Sequence, residues 1–395
     1  MKKSVLITSG RMISTLELVR ILKEAGCRVL VTDCFPRYLC KFSNAVDKSF
    51  QTSPPSKDPE GFKRDILRIV EEEKIDYVIP ASEEAIYVAG FADELPCGCL
   101  AFCDTRERME RVHNKYHFIK YCEELGFQVP RTELIDRQTE QVPDFCATTD
   151  FVVKPGYSRA GAHIYFRSAG EGVDDLNLPA GEDFLAQQKI EGEVLCAFAV
   201  INQGQVGFSM AYLPALKDGF FGVAFENLDH PKIKAWIDKF ARESGYHGFV
   251  SFDFIEDARG DIYPIECNPR ITSGIHMAPH QLLGEIILQE PGRELAPVPV
   301  EKKQAGRQRA FIGVSTMVVL IRALLGQRDT LRHVIRTILR GKEVVFSWRD
   351  PLPIFVQLPV FLGISKMSRK EGVPRTETPT WCLEYPPLKV AKEGR

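Results

Sequence analysis

The chain has 395 residues, 44% of them apolar and 10% aromatic, an ordinary soluble composition with ample material for two or three globular domains. Its eleven cysteines stand singly or as Cys97-Gly-Cys99 and Cys103, without the Cys-x-x-Cys spacing of structural zinc, so they read as reduced and mostly buried thiols. The net charge of -2 hides a segregation: residues 301–395 carry 18 Lys or Arg against 8 Asp or Glu, about +10, which leaves about -12 for the rest and argues against a nucleic-acid protein in the main body.

Met1-Lys-Lys leads into only a short apolar run before Thr8-Ser-Gly, so no secretory signal is expected and reducing cytoplasm is the default compartment. Residues 4–8, the helical spacing of Leu18, Ile21, Leu22 and Ala25, and a second apolar run from Cys27 to Thr32 predict a β-α-β start. Its turn, Ser9-Gly10-Arg11, lacks the three glycines of a dinucleotide fingerprint, which speaks against NAD. A helix through Phe62, Ile66, Ile69 and Val70 precedes a strand, Tyr77-Val-Ile-Pro80. Glu83 and Glu84 follow at its carboxyl end, where open α/β sheets bind ligands, although capping of the next helix is an equal reading.

From about residue 107 one helix should carry Met109, Val112, Tyr116 and Ile119 on a single side, with Lys115 inside it. Asp150-Phe-Val-Val-Lys154-Pro-Gly156-Tyr-Ser158-Arg-Ala-Gly161 reads as a strand ending in a lysine and a glycine-containing loop, a pattern that lets backbone amides and a point charge approach phosphate oxygens. Phe184 to Glu193 forms a strand with a bend that continues to Val200, and a helix through Ile233, Trp236, Ile237 and Phe240 covers the sheet.

Phe249-Val-Ser-Phe-Asp253-Phe and Tyr263-Pro-Ile-Glu266-Cys-Asn268-Pro-Arg270 flank a turn cluster, Glu256 to Asp261, and predict an antiparallel hairpin. With the turn centred between Arg259 and Gly260, Asp253 faces Glu266 and Ser251 faces Asn268, all on one side. Opposed Cβ atoms lie roughly 5 Å apart, so the two carboxylates call for a cation. Magnesium fits, because it takes one or two carboxylates plus substrate phosphates, and an Asn carbonyl adds an uncharged oxygen.

In the tail, Phe311 to Leu325 is nearly continuous apolar sequence, but its length and Arg322 argue for a buried or interface helix rather than a membrane span. Leu331, Val334, Ile335, Ile338 and Leu339 form an apolar stripe, while Arg332, Arg336 and Arg340 recur every four residues on another face. A solvated face, or pairing with acids of the main body, is favoured over an amphipathic helix on an anionic membrane surface. Pro-rich residues 374–387 suit a tether or a dimer arm, which leaves a homodimer open.

Lys115, Lys154 with its glycine loop, Gln188-Lys-Ile-Glu-Gly192-Glu193, Asp253 and Glu266-x-Asn268-x-Arg270 occur in this order, and the chain thereby resembles the ATP-grasp superfamily over about residues 1–300. Its look is that of the carbamoyl-phosphate-synthase-like, amino-acid-ligase-like branch. The chain has room for one ATP-grasp unit rather than a synthase's two, and no Met-Lys-Met biotin site occurs. The resemblance implies α/β plus α+β architecture, with a Rossmann-like N-terminal domain (1–105) and a two-lobed ATP-grasp domain (106–300, mobile lobe about 146–192); the residues beyond it are read as a basic, mostly helical C-terminal extension (301–395). It implies ATP and one or two Mg2+ ions, with Mn2+ as a substitute. Lys115 and Lys154 would contact phosphates, the loop holding Gly156, Ser158 and Gly161 would close over them, and Gln188, Lys189 and Ile190 would read adenine. Asp253, Glu266 and Asn268 would hold metal, and Arg270 would stabilise the transferred phosphoryl group or an acyl phosphate. The family often binds ribose with an acid two places after the hinge glycine. That place is Val194 here, and Glu193 stands one earlier.

The activity implied is a carboxylate-amine (or thiol) ligase acting through an acyl phosphate on small-molecule acid and amine substrates, an amino acid among them, with contacts from the N-terminal domain and variable loops such as Asp218 to Glu226. The alternatives are a phosphotransferase acting on a hydroxyl or enol, and a regulatory ATP-binding protein without turnover.

Overall fold

The computed structural model describes residues 2–136, 141–158, 163–176, 178–179, 182–219, 221–289, 308–324, 328–372 and 380–386. The chain opens with β1 (Ser4–Ile7), α1 (Ile13–Glu24), β2 (Arg28–Asp33), β3 (Lys48–Gln51), α2 (Pro59–Glu73), β4 (Tyr77–Ile79), α3 (Ala85–Ala89) and β5 (Leu100–Ala101). These strands make one parallel sheet in the order β3-β2-β1-β4-β5. Period-two alternation covers both of its faces. Val5, Ile7, Val29 and Val31 pack with Leu18, Ile21 and Leu22 of α1, whereas Leu6, Leu30 and Val78 pack with Phe62, Ile66 and Ile69 of α2. The strand order reverses between β1 and β4, which opens a crevice at their carboxyl ends.

Next come α4 (Arg106–His113), α5 (Lys115–Glu124), β6 (Thr132–Leu134), β7 (Phe151–Pro155), β8 (Tyr165–Arg167) and β9 (Phe184–Gln188). The single helix expected from about residue 107 is two, because Asn114 leaves helical geometry at ψ 123° and caps α5 by accepting from the His117 amide at 3.1 Å. Lys115 therefore begins a helix instead of lying within one. β6, β9, β7 and β8 form a four-stranded antiparallel sheet in that order.

The chain continues through β10 (Gly192–Asn202), β11 (Gln205–Asp218), β12 (Phe221–Leu228), α6 (Pro231–Ser244), β13 (Gly248–Asp257), β14 (Ile262–Asn268) and α7 (His280–Ile287). Then follow β15 (Arg309–Phe311), α8 (Gly313–Leu324), α9 (Arg328–Arg340), β16 (Lys342–Glu343) and α10 (Leu352–Glu371). Seven strands share the large sheet, β14-β13-β10-β11-β12-β15-β16. Trp236 and Phe240 of α6 pack on Phe252 and Phe254 on one face, and on the other Phe198 and Phe249 join the core around α1 and α7.

Residues beyond 300 are not only helical: β15 and β16 extend the large sheet, and α8 and α9 cover it. They are also pinned to the first sheet. Buried Asp350 accepts from Arg20 Nε at 2.9 Å, Ser43 Oγ at 2.7 Å and the Asn44 amide at 2.8 Å. Among the described residues, no helix is long and apolar enough to cross a membrane.

Where α1 meets α7, the nearly sealed Glu17 carboxylate faces His280 Nε2 at 2.6 Å and His276 Nδ1 at 3.4 Å, and His280 Nδ1 faces Glu24 at 2.9 Å. With a carboxylate on each ring nitrogen, both must donate, which only the imidazolium does. Burial alone would lower the His280 pKa, but Glu17 and then Glu24 outweigh it and hold it raised. A raised folded pKa gives stability that is complete below the unfolded value of roughly 6.5 and is lost as pH rises through the folded value. Wild type should therefore exceed His280→Gln in stability by about 1–2 kcal/mol at low pH, with the margin shrinking as pH rises. Melting temperatures across pH check this, and a margin independent of pH would refute it.

Candidate active site

The hairpin of β13 and β14 pairs Asp253 with Glu266 and Ser251 with Asn268. The predicted register is met at these positions, although the turn is not where it was expected. Glu256 pairs with Ile262, which centres the turn on Arg259, and the Asp257 amide donates to the Asp261 carbonyl at 3.0 Å. A bulge restores the register: Phe254 pairs with Pro264, so Ile265 is the extra residue. β14 is an edge strand, which is why Pro264, lacking an N–H, is tolerated beside the bulge. The Ile265 carbonyl accepts from Lys154 Nζ at 3.1 Å. The bulge thus ties the end of β7 in the small sheet to the carboxylate pair in the large one.

Three cations surround that pair. Lys115, almost fully buried, places Nζ 3.4 Å from Glu266 Oε1 and donates to the Ser158 carbonyl at 3.3 Å. Lys154 Nζ also donates to Gln187 Oε1 at 2.9 Å, and Gln187 donates in turn to Thr132 Oγ1 at 3.0 Å. Arg270 donates to Asn268 Oδ1 at 3.1 Å and lies 3.6 Å from Glu83. Burial, with Lys115 second, pushes Lys154 down to about 7 against the opposing pull of Glu266 and Asp253. Burial and the nearby Glu266 charge push Asp253 up to about 6, while Cys196 hydrogen-bonds to it. Burial would raise Glu266 too, but Lys115, Lys154 and Arg270 outweigh it and hold that carboxyl below the usual range. The loop after β7 is stitched to α5, since the Lys115 amide donates to the Gly156 carbonyl at 2.9 Å. A Cβ on Gly156 would sit 2.8 Å from Asn114 Nδ2, so glycine is what allows the loop this close to the cap.

Across from Arg270 lies the crevice of the parallel sheet. Glu84 occupies the N-cap position of α3, but its side chain does not cap the helix: Oε1 accepts from Thr8 Oγ1 at 2.5 Å and from the Ala81 and Ser82 amides at 3.1 Å, bridging β1 and β4. Burial lowers the His113 pKa to about 4, so the ring is neutral near pH 7. It lies 2.9 Å from the Tyr385 carbonyl, which can only accept, so Nε2 carries the proton and Nδ1 is an open acceptor. Among the described residues, Ser9 Oγ, Glu84 Oε2, His113 Nδ1 and Arg270 Nε are buried without a hydrogen-bond partner, and these four gather around this crevice. Native proteins rarely leave such atoms unsatisfied, so the cluster marks a place for a polar ligand.

Residues 112–274 match the family model described as the ATP-grasp domain. Residues 112–274 are an ATP-grasp domain. Solved structures share the fold at low identity. The biotin carboxylase domain of Hydrogenobacter thermophilus 2-oxoglutarate carboxylase, in complex with MgADP, ADP and bicarbonate, has a TM-score of 0.57 at 15% identity, covering 74% of this chain and 71% of that one. An L-amino acid ligase from Bacillus licheniformis has 0.55 at 17%, covering 75% and 78%. The N5-carboxyaminoimidazole synthetase from Staphylococcus aureus, complexed with ADP, has 0.56 at 14%, covering 75% and 79%. No curated protein matches by sequence.

Within the ATP-grasp domain, Lys189-Ile190-Glu191 carries the chain from the small sheet to the large one. Gln188 is held at this hinge by the Arg131 backbone, and Lys189 turns outward to pair with Glu191 at 2.5 Å. Gly192 is forced by packing, because a Cβ there would lie 2.0 Å from the Glu256 carbonyl oxygen. Cys196 pairs with Asp253, so Val194 shares the carboxylate face, while Glu193, opposite Glu256, points to the other. The pleat thus does not bring Glu193 to the carboxylates. Gly161 lies outside the described residues.

The donor set suits magnesium: an opposed carboxylate pair, one member of which is held raised by burial and by the other's charge, beside an amide oxygen. Among the described residues no three His, Cys, Asp or Glu side chains converge as a metal cage. An ion here would draw its remaining ligands from water or phosphate.

The tail contributes what sequence reasoning missed. Residues 380–386 dock on the first sheet of their own chain. Arg11 Nη1 donates to the Trp381 carbonyl at 3.0 Å, Trp381 stacks on Phe35, and Tyr87 Oη donates to the Glu384 carbonyl at 2.8 Å. Tyr385 sends its amide to Glu83 at 3.4 Å and its carbonyl to His113, so this strap walls the crevice. Seven residues within a proline-rich stretch read as a tether or dimer arm carry no periodic signal that could have foretold it.

By NMR titration, the Lys154 ammonium of the free protein should show a midpoint near 7. Glu266→Gln should move it lower, since Glu266 is the largest influence favouring the charged form. A midpoint in the usual lysine range would refute this electrostatic arrangement.

Proposed function

We propose that this chain is an ATP-dependent carboxylate-amine ligase that works through an acyl phosphate. The observation carrying this reading is the convergence of Lys115, Lys154 and Arg270 on the opposed Asp253–Glu266 pair, facing a crevice of unsatisfied polar groups. In this reading the layout is an N-terminal domain (1–105), a two-lobed ATP-grasp domain (106–300) whose mobile lobe spans about 146–192, and a C-terminal extension (301–395). ATP lies between the two sheets, with adenine at the hinge around Gln188 to Ile190 and phosphates on Lys115, Lys154 and the loop from Gly156. Asp253, Glu266 and Asn268 hold magnesium, which neutralises phosphate charge.

A substrate carboxylate oxygen attacks the γ-phosphorus, the β–γ bridging bond breaks, and ADP leaves with the electron pair. Arg270, at the border of the two units, stabilises charge on the transferred group. An amine then attacks the acyl carbon, and phosphate departs as the amide forms. Much of the rate comes from positioning and electrostatics, since phosphoryl transfer asks for little covalent help. Glu83 and Glu84, at the strand ends, suit the ammonium of an amino-acid substrate.

ADP and phosphate release should require both an acid and an amine in a substrate panel, and should fall at least about a hundredfold in Glu266→Gln. A stable phosphorylated product from one substrate would replace the ligase with a kinase, and nucleotide binding without turnover across the panel would leave a sensor. Because Lys154 is lowered to about 7, ATP affinity should weaken as pH rises through that value, by up to about tenfold per unit, and this slope should flatten in Lys154→Arg.

A further inference from the structure

α8 and α9 form a helical pair on the outer strands of the large sheet. Thr316, Val319 and Ala323 of α8, with Val334 and Thr337 of α9, turn inward, where Val319 and Val334 meet Leu216, Val223 and Ala224. A helix in such a position normally shows a polar outer face. Here the outer face is apolar: Met317, Val318, Ile321 and Leu324 of α8 and Ile335 and Leu339 of α9 are exposed, Leu339 to 79%. Arg332, Arg336 and Arg340 are exposed among them, and none forms an ion pair within the described residues. α8 contains no Asp or Glu, and α9 carries a single acid, Asp329, in its first turn ahead of the arginine row. Of the two readings favoured from the sequence, a solvated face or pairing with acids of the main body, these arginines take the solvated one.

We propose that this face docks peripherally on an anionic phospholipid surface. Exposed apolar side chains interleaved with unpaired arginines, on helices lying along a protein surface, combine the two interactions such a surface offers: burial at the acyl boundary and attraction to anionic headgroups. A second copy of the chain is disfavoured by the same charges, since two-fold self-pairing sets one row of three arginines against another, and α9 offers only one acid, Asp329, in return. The surplus of about +10 beyond residue 300 adds long-range attraction of the same sign. The docking does not depend on the ligase reading.

The test is co-sedimentation of the full chain with phosphatidylcholine vesicles, with and without phosphatidylglycerol. Binding is expected with phosphatidylglycerol at low salt, and it should drop sharply at about 0.5 M salt, where the screening length falls to a few ångströms. Arg332→Gln with Arg336→Gln should weaken it about 25-fold, at about fivefold per arginine. Ile321→Ser with Leu339→Ser should also weaken it while leaving the melting temperature unchanged, because both side chains are exposed. No binding to phosphatidylglycerol vesicles, binding unchanged in both double variants, or a dimer in sedimentation velocity that Leu339→Ser dissociates would each overturn the proposal.

Discussion

Two carboxylates forced to face each other across β13 and β14 set the terms for the rest of the molecule. At roughly 5 Å, and with an effective dielectric near 20, two such charges repel by about 3 kcal/mol. That cost is large beside the net stability of a domain, so the surrounding structure must supply positive charge. It does so from three separate elements: Lys115 from the start of α5, Lys154 from the end of β7, and Arg270 from the segment after β14. Burial first and the neighbouring Lys115 second push Lys154 down, while the three cations together keep Glu266 ionised. The site is a lattice of mutually dependent charges, suited to a polyanion and a divalent cation that relieve both kinds of repulsion together.

Backbone irregularities make this lattice possible. The bulge at Ile265 frees a carbonyl for Lys154, and the break at Asn114 aims Lys115 inward from a helix start. Neither feature adds much stability by itself, since a net hydrogen bond is worth about 1 kcal/mol. Their effect is positional: one presents a carbonyl to Lys154, and the other places Lys115 at the first turn of a helix.

The C-terminal extension serves the site from a distance. Arg20 with Asp350, and Arg11 with the strap around Trp381, bind the end of the chain to its beginning, and the strap then closes the crevice next to His113 and Glu83. With its inner side committed in this way, the extension turns an apolar, arginine-bearing face outward on α8 and α9.

The identities and order of the charged residues, and the pairing of Asp253 with Glu266, were legible in the chain, because alternation with period two and a glycine-bearing turn leave few registers for a short hairpin. The doubly covered parallel sheet was legible for the same reason, as continuous apolar runs separated by a helical period. Tertiary structure alone decided which neighbours those residues meet. The bulge was not read from the sequence, and only packing shows the Ile265 carbonyl turned to Lys154. Glu193 and Val194 differ by one position in sequence and by a whole sheet face in space. Whether the arginines of α9 pair or stand free depends on which surface that helix covers, and the strap's docking rests on contacts between residues 272 to 370 positions apart. Local periodicity reports which side of an element is apolar, whereas long-range contacts choose the partner, and electrostatics in a protein interior belongs to the partner as much as to the residue.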